Sequence, residues 1–258
     1  MTPTRLALAA AAALGLLAPA AHAETLRIAT EGAYPPFNYT EPNGQLAGFD
    51  VDIARELCAR LKAECEIVGQ DWDGIIPGLL ANKYDLIVAS MFITEERRQQ
   101  VDFSEPYYRA AMTLVAPKGA GLADLSPEGL KDKVIGAQAG TTQGDYASAT
   151  FAQSDVRLYP TQDEVNLDLA GGRIDLQVSD MLPMLDWTMN SEDGACCELV
   201  GEPITDPAFV GEGVGIAMRK GQDELRGRVN AALAAMRADG SYKAMNDKYF
   251  PIDVYTLK

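Results

Sequence analysis

Short apolar runs alternate with segments of helical periodicity along almost the whole chain, and this alternation restricts the possible folds more than any other feature. The run LRIAT (26–30) is typical of a buried strand, and GFDVDIARELCARLKAE (48–64) has apolar residues at the i, i+3, i+4 spacing of a helix. The same pairing recurs until about residue 190. The sequence therefore predicts an α/β protein with mainly parallel sheets.

The alternation is interrupted by the extended stretch YYRAAMTLVAPKG (107–119) and then starts again. Two such runs predict two lobes, and the late run GVGIAMRK (213–220) with the helical segments after it can complete either lobe. Open parallel sheets bind ligands beyond the carboxyl ends of their strands, so we expect a site where the strands end. These ends are Thr30 and Glu31; Ser90, Met91 and Phe92; Ala139 to Gln143; and Ser179 and Asp180.

The first 23 residues have the pattern of a secretory signal peptide. Arg5 gives a basic start, an apolar run follows, and AHA (21–23) matches an A-x-A cleavage site. We therefore expect export, with cleavage after Ala23. The only histidine, His22, lies in this segment, so the mature chain lacks the histidine of a Ser-His-Asp triad or of a metal site. We predict neither a metal nor a cofactor.

The mature chain is strongly acidic. Removing Arg5 from the 22 Lys and Arg residues leaves 21 of them against 37 Asp and Glu residues. This balance disfavours nucleic acids and anionic membranes as partners. It serves solubility, and it can also attract cationic ligands at long range.

Four cysteines remain in the exported chain, and an oxidising compartment permits disulfides. Cys58 falls near a helix end and Cys65 follows the next turn, so a bridge or two buried thiols are both possible, and we favour the bridge. The adjacent Cys196 and Cys197 have no assignment, because neighbouring cysteines bond only with strain and C-x-x-C zinc spacing is absent.

Two of the strand ends offer groups that bind anions. Arg97 lies in the short helix TEERRQQV, which Thr94 can cap, and a guanidinium gives a carboxylate two parallel hydrogen bonds. The alternative is a solvated arginine like Arg98. The segment GTTQG (140–144), with Thr141, Thr142 and Gln143, opens a helix and offers free N–H groups. Ordinary capping of that helix is the alternative.

The other two strand ends offer carboxylates. Asp180 can accept an ammonium group or cap the next helix. Glu31 precedes Tyr34 and Phe37 across a Pro-Pro turn, and rings beside a carboxylate attract cations; the alternative is a loop acid beside packing rings. Together the four features match an amino acid with a cationic side chain. Phe37 lies beyond the turn, and we expect it to pack under the loop.

Several motifs resemble the periplasmic solute-binding proteins of polar amino acid ABC transporters, above all the lysine/arginine/ornithine, histidine and opine branch. The resemblance covers essentially the whole mature chain. It rests on the segments GFDVDIARELCARL (48–61), SMFITEERRQQVDFSEPYY (90–108), GTTQ (140–143), AGGRIDLQVSD (170–180) and MRADGSYKAMNDKYF (236–250). It implies a two-lobed type 2 periplasmic-binding fold with two hinge crossovers. Lobe limits of 24–110 plus 211–258, and of 111–210, follow from it.

The resemblance also implies roles for individual residues. Arg97 would bind the ligand's α-carboxylate with help from Ser90 and Thr142, and Asp180 would hold the α-ammonium. Glu31 would face the ligand's side chain under Tyr34, and Cys58 would bond to Cys65. The remaining expected ligand contacts are Trp72, Met91, Phe92, Ala139, Thr141 and Gln143. The family usually has a small or polar residue at Phe92, and some members have Ser at Ala89, so these positions bear on ligand identity.

The expected function is ligand capture for an inner-membrane ABC permease by a monomeric protein that takes arginine, lysine or ornithine, or else histidine or an opine. The alternative from another class is an enzyme that resembles the periplasmic cyclohexadienyl dehydratases, with Glu31 as a general acid. A sensor module of a membrane receptor would need a transmembrane segment. No stretch after residue 23 approaches 18 consecutive apolar residues.

Overall fold

Residues 24–257 are described by a computed structural model in which strands and helices alternate as the sequence predicts. The predicted signal peptide, residues 1–23, lies outside the described residues. The strands are β1 (Thr25–Thr30), β2 (Ala33–Tyr34), β3 (Asn38–Thr40), β4 (Leu46–Ala47), β5 (Glu64–Gly69), β6 (Leu86–Ile87), β7 (Val101–Phe103), β8 (Met112–Pro117), β9 (Val134–Gln138), β10 (Asp155–Tyr159), β11 (Leu176–Asp180), β12 (Cys197–Ile204) and β13 (Ala217–Arg219). The helices are α1 (Phe49–Leu61), α2 (Trp72–Leu80), α3 (Glu95–Gln100), α4 (Thr142–Thr150), α5 (Gln162–Ala170), α6 (Met181–Asn190), α7 (Pro207–Val210), α8 (Asp223–Asp239) and α9 (Ser241–Tyr249).

Two five-stranded sheets form the centres of two lobes. Sheet A has the order β5-β1-β6-β13-β7, and sheet B has the order β10-β9-β11-β8-β12. In each sheet one strand, β13 or β8, is antiparallel to both of its neighbours, so the other four run in one direction. We call the part of the chain around sheet A lobe A and the part around sheet B lobe B. The prediction of mainly parallel sheets is confirmed.

The chain passes between the two sheets twice, first through residues 104–111 and again through residues 205–216. The two crossing segments run side by side, because the Tyr107 N–H donates to the Val214 carbonyl and the Val214 N–H donates to the Tyr108 carbonyl. The second crossing delivers β13 into sheet A, between β6 and β7. This settles where the late strand belongs, which the sequence left open.

An aromatic cluster supports the loop that follows β1. Phe37 is fully buried, stacks on Tyr108 with ring centroids 4.8 Å apart, and meets Phe49 edge-on. Such ring pairs add specific geometry to the burial of a large apolar area. The prediction that Phe37 packs under the loop is confirmed, and the ring thereby fixes the position of the residues before it.

Both cysteine pairs are disulfide-bonded. Cys58 in the last turns of α1 is joined to Cys65 in β5, which confirms the favoured alternative. Cys196 is joined to its neighbour Cys197, at the point where a short 3₁₀ turn meets β12. The second pairing is one that the sequence reasoning did not assign.

Removing the first disulfide should lower stability without changing the ligand site. Its residues are 7 positions apart, and closing a loop of that size stabilises a fold by about 2–3 kcal/mol in the chain-entropy model. We expect the variant with Cys58→Ala and Cys65→Ala to lose that amount in urea unfolding. An unchanged unfolding midpoint would contradict this expectation.

Every helix within residues 24–257 is too short or too polar to span a bilayer. In the same range no three His, Cys, Asp or Glu side chains come together in a group that could hold a metal ion.

Candidate ligand-binding site

A narrow pocket lies between the two lobes, at the carboxyl ends of β1, β6, β9 and β11, and we refer to it as the cavity. The lining residues are Glu31, Tyr34, Trp72, Ala89, Ser90, Phe92 and Arg97 from lobe A and Gln138, Thr141, Gln143, Gln162 and Asp180 from lobe B. The cavity therefore lies where the strand-end rule predicts a ligand site.

Arg97 supplies a buried positive charge to the cavity. Thr94 caps α3 by accepting a hydrogen bond from the Arg97 backbone N–H at 3.2 Å, as predicted. The Arg97 side chain is only 9% exposed, and its Nη1 donates to the Phe92 carbonyl at 3.1 Å. Burial lowers the pKa of Arg97 to about 10, which leaves it charged at neutral pH. Within residues 24–257 no carboxylate lies within salt-bridge distance of it.

The neighbouring residue Arg98 has the solvated environment that was the alternative for Arg97. Arg98 is more exposed and pairs with Glu212 at 2.9 Å on the surface. Burying a cation without an anionic partner is costly, so the buried position of Arg97 favours a site that receives an anion. The solvated interpretation holds for Arg98 and fails for Arg97.

The start of α4 lies on the lobe B side of the cavity. Thr141 accepts from the Gly144 N–H at 3.1 Å and donates to the Gln138 carbonyl at 2.7 Å, so its hydroxyl is an ordinary helix cap. The first helical bond runs from the Asp145 N–H to the Thr141 carbonyl. The N–H groups of Thr142 and Gln143 precede that bond and have no intrahelical partner, and of the two residues only Gln143 lines the cavity.

Asp180 supplies a buried carboxylate from lobe B. It is 2% exposed and accepts hydrogen bonds from the Tyr34 hydroxyl at 2.6 Å and from the Gln143 amide. Although Asp180 occupies the N-cap position of α6, its side chain makes no capping bond, so the capping alternative is wrong. Burial raises the pKa of Asp180 to about 6, and the charge of Arg97 opposes that rise.

Glu31 lies at an acidic end of the cavity. Its Oε1 accepts a hydrogen bond from Gln138 Nε2 at 2.6 Å. Burial raises the pKa of Glu31 to about 7, and repulsion from Asp163, Asp71 and Asp73 adds to this. The carboxylates whose charges oppose the lowering of the Arg97 pKa are Asp145, Asp180 and Glu96, and Glu31 is not among them. The cavity thus pairs a cation with a nearby carboxylate at one end and collects negative charge at the other.

Among the described residues, three direct hydrogen bonds join the lobes around the cavity. They link Tyr34 to Asp180, Gln138 to Glu31, and Trp72 Nε1 to the Gly140 carbonyl at 2.8 Å. The Trp72 ring also lies 5.3 Å from the Arg97 guanidinium carbon, a cation–π distance. The lobes are therefore in contact through residues that line the cavity or lie beside it.

Most of the sequence-predicted contacts line this cavity, and three do not. Met91 is buried in the core beside sheet A, while Ala139 and Thr142 lie next to lining residues without lining the cavity themselves.

Ser90 lines the cavity and has a left-handed backbone conformation, with φ 53°, but its hydroxyl donates to buried Asp50 at 2.9 Å. That hydroxyl hydrogen is thus committed to Asp50 and is no free donor to a ligand. Phe92 is buried and presents an apolar wall.

Two lining residues, Gln138 and Gln162, escaped the sequence reasoning. Gln138 is the last residue of β9 and directly precedes the strand-end segment that was considered. Gln162 opens α5 just after β10, a strand whose end was not considered. Applying the strand-end rule to β10 and starting one residue earlier at β9 would have found both.

Two lobes built on mixed sheets, joined by two crossings around a polar cavity, define a hinged α/β binding protein. The chain belongs to the bacterial extracellular solute-binding proteins of family 3, whose family model matches residues 26–252. The predicted membership and the type 2 periplasmic-binding fold are confirmed.

Similar proteins fall within one group. An L-arginine-binding protein of Pseudomonas aeruginosa is 45% identical over 255 residues, covering 97% of this chain and 98% of the relative. The lysine/arginine/ornithine-binding periplasmic protein of Escherichia coli is 37% identical, covering 92% of this chain and 91% of the relative. A solved structure of an ancestral arginine-binding protein bound to glutamine has a TM-score of 0.81 and 38% identity, covering 90% of this chain and all of that one. These relatives are all described as binding proteins, which favours a binding role for this chain over the dehydratase alternative.

Proposed function

We propose that this protein is the periplasmic substrate-binding component of an ABC importer and that it binds a cationic L-amino acid, arginine, lysine or ornithine, between its lobes. The observation that carries the proposal is the buried, unpaired guanidinium of Arg97 close to Asp180, with the acidic end of the cavity around Glu31. Arg97 and the start of α4 would hold the α-carboxylate, and Asp180 the α-ammonium. The cationic end of the side chain would reach Glu31. The names of the relatives point to the same ligand class.

Closure of the lobes follows from where these groups lie. Arg97 and Glu31 belong to lobe A, and Asp180 belongs to lobe B, so a ligand that touches all three binds the closed form preferentially. We assign residues 24–110 and 211–258 to lobe A and 111–210 to lobe B, with the crossings as hinges. The closed monomer would dock on an inner-membrane permease after export and cleavage behind Ala23.

Thermal unfolding of refolded, ligand-free protein with a panel of amino acids tests this function. A ligand present at 1,000 times its Kd stabilises the folded state by about 4 kcal/mol. Arginine, lysine or ornithine should give the largest rise in Tm, and glutamate should give none. A largest shift with an acidic or an apolar amino acid would overturn the proposal.

Affinity for a cationic ligand should fall as the pH drops below 7. With the lobes in contact and no ligand bound, burial raises the pKa of Glu31 to about 7, and a bound cation favours the ionised carboxylate, so binding releases a proton in this range. We expect affinity to weaken by up to about tenfold per pH unit below 7. Below pH 6 the fall becomes steeper, because protonation of Asp180, whose pKa is about 6, adds to it.

Calorimetry in buffers of different ionisation enthalpy measures the released proton directly. The variant Glu31→Gln is the control, because between pH 6 and 7 it should keep only the change of less than about twofold that Asp180 causes. A wild type whose affinity is flat over that interval would contradict the role of Glu31.

A further inference from the structure

Gln138 contacts Glu31 from the opposite lobe, at the acidic end of the cavity. It is the last residue of β9 and is 4% exposed. Its Nε2 donates to Glu31 Oε1 at 2.6 Å and to the Pro160 carbonyl at 3.2 Å. Both N–H bonds of the amide group are thus used, one within lobe B and one across to lobe A.

These two bonds fix the orientation of the amide. A carbonyl oxygen such as that of Pro160 can only accept, so the amide nitrogen must face it and the amide oxygen must lie on the other side. Neither Gln138 Oε1 nor Glu31 Oε2 has a hydrogen-bond partner within residues 24–257. Neither is among the unpartnered side-chain atoms sealed from solvent in that range. Both oxygens therefore keep some access to solvent, and both residues line the cavity.

The cavity therefore presents two acceptors together, a charged carboxylate oxygen and a neutral amide oxygen. We propose that Gln138 is a specificity-determining residue that favours a guanidinium over a primary ammonium, which makes arginine the preferred ligand. The proposal rests on the function proposed above, because it concerns the end of the site that receives the cationic side chain.

The reason is the shape of the two cations. A guanidinium is planar and presents paired N–H donors in a fixed arrangement, so it can donate to Glu31 Oε2 and Gln138 Oε1 at the same time. An ammonium is a compact, strongly hydrated charge on a flexible chain. The Glu31 carboxylate attracts it equally well, while the amide oxygen adds little to its binding. Gln138 thus contributes chiefly to the difference between arginine and lysine.

The test compares arginine and lysine on the wild type and on Gln138→Leu by calorimetry. A lost hydrogen bond to a charged group should weaken arginine by about tenfold to a hundredfold. Lysine should lose much less, so the preference for arginine should shrink by about tenfold or more. The matched control is Gln143→Leu, the same change at the amide that contacts Asp180. It should weaken both ligands equally and leave their ratio unchanged.

A ligand change gives a second measurement that does not depend on how a variant folds. Wild-type protein should bind Nω,Nω-dimethylarginine, which lacks both N–H bonds of one terminal nitrogen, at least about tenfold more weakly than arginine. An arginine-to-lysine ratio that is the same in wild type and Gln138→Leu would overturn the role of Gln138 alone. A wild type that binds neither cation would overturn the proposed function and this inference with it.

Discussion

Replacing Arg97 with alanine should abolish binding of every amino acid, whatever its side chain. The guanidinium is the only positive charge on the cavity wall within the described residues, and it has no carboxylate partner there. Truncating one member of a buried charge pair typically costs several kcal/mol, so a loss of about 4 kcal/mol, or roughly a thousandfold in Kd, is expected. Calorimetry of the ligand-free variant measures it.

The adjacent arginine is the matched control for this variant. Arg98 lies in the same helix but pairs with Glu212 on the surface, so Arg98→Ala should leave the affinity within about twofold of wild type. The ligand-free Arg97→Ala protein should remain folded, because removing an uncompensated buried charge relieves a desolvation cost. Affinity within tenfold of wild type in Arg97→Ala would refute the carboxylate assignment.

Replacing Glu31 with glutamine should weaken cationic ligands selectively. The substitution keeps the shape of the side chain and its contact with Gln138 but removes the negative charge that would face the ligand's cationic end. We expect a loss of about 2–3 kcal/mol, or roughly 30- to 150-fold, for arginine and lysine. Neutral amino acids should change by less than about threefold, since Arg97 and Asp180 hold them equally in both proteins.

The control separates the local charge from the acidity of the whole surface. Glu41→Gln removes one negative charge from the turn between β3 and β4, at a residue that does not line the cavity. If long-range attraction by the acidic surface decided affinity, the two variants would behave alike. Our account expects Glu41→Gln to match wild type, and equal losses in both variants would contradict it.

The main charges of the site could be located from sequence because of a property of parallel sheets. The carboxyl ends of strands that run in one direction meet at one edge, so residues such as Glu31 and Asp180 converge although they are far apart in the chain. Arg97 was harder to separate from Arg98, since both lie in one short helix. Only the burial of Arg97 and the surface partner of Arg98 decide between them.

The sequence could not show how polar groups are shared inside the site. Asp50 belongs to a sequence motif in α1. In the fold it accepts hydrogen bonds from Asn38, Ser90 and Tyr107, so the Ser90 hydroxyl is not free to donate to a ligand. In the sequence Gln138 is an ordinary strand residue, and its contact with Glu31 of the opposite lobe exists only in the folded protein. Such pairings depend on tertiary contacts between distant segments, and no local spacing encodes them.

Calorimetric titration of refolded, ligand-free wild-type protein with arginine, lysine, ornithine, glutamine and glutamate at pH 7.5 tests the central claim most directly. The account predicts one ligand per chain, the tightest binding for a cationic amino acid, and no detectable heat from glutamate. Tighter binding of glutamine or glutamate than of any cationic amino acid would contradict the assignment of Glu31 and the function built on it.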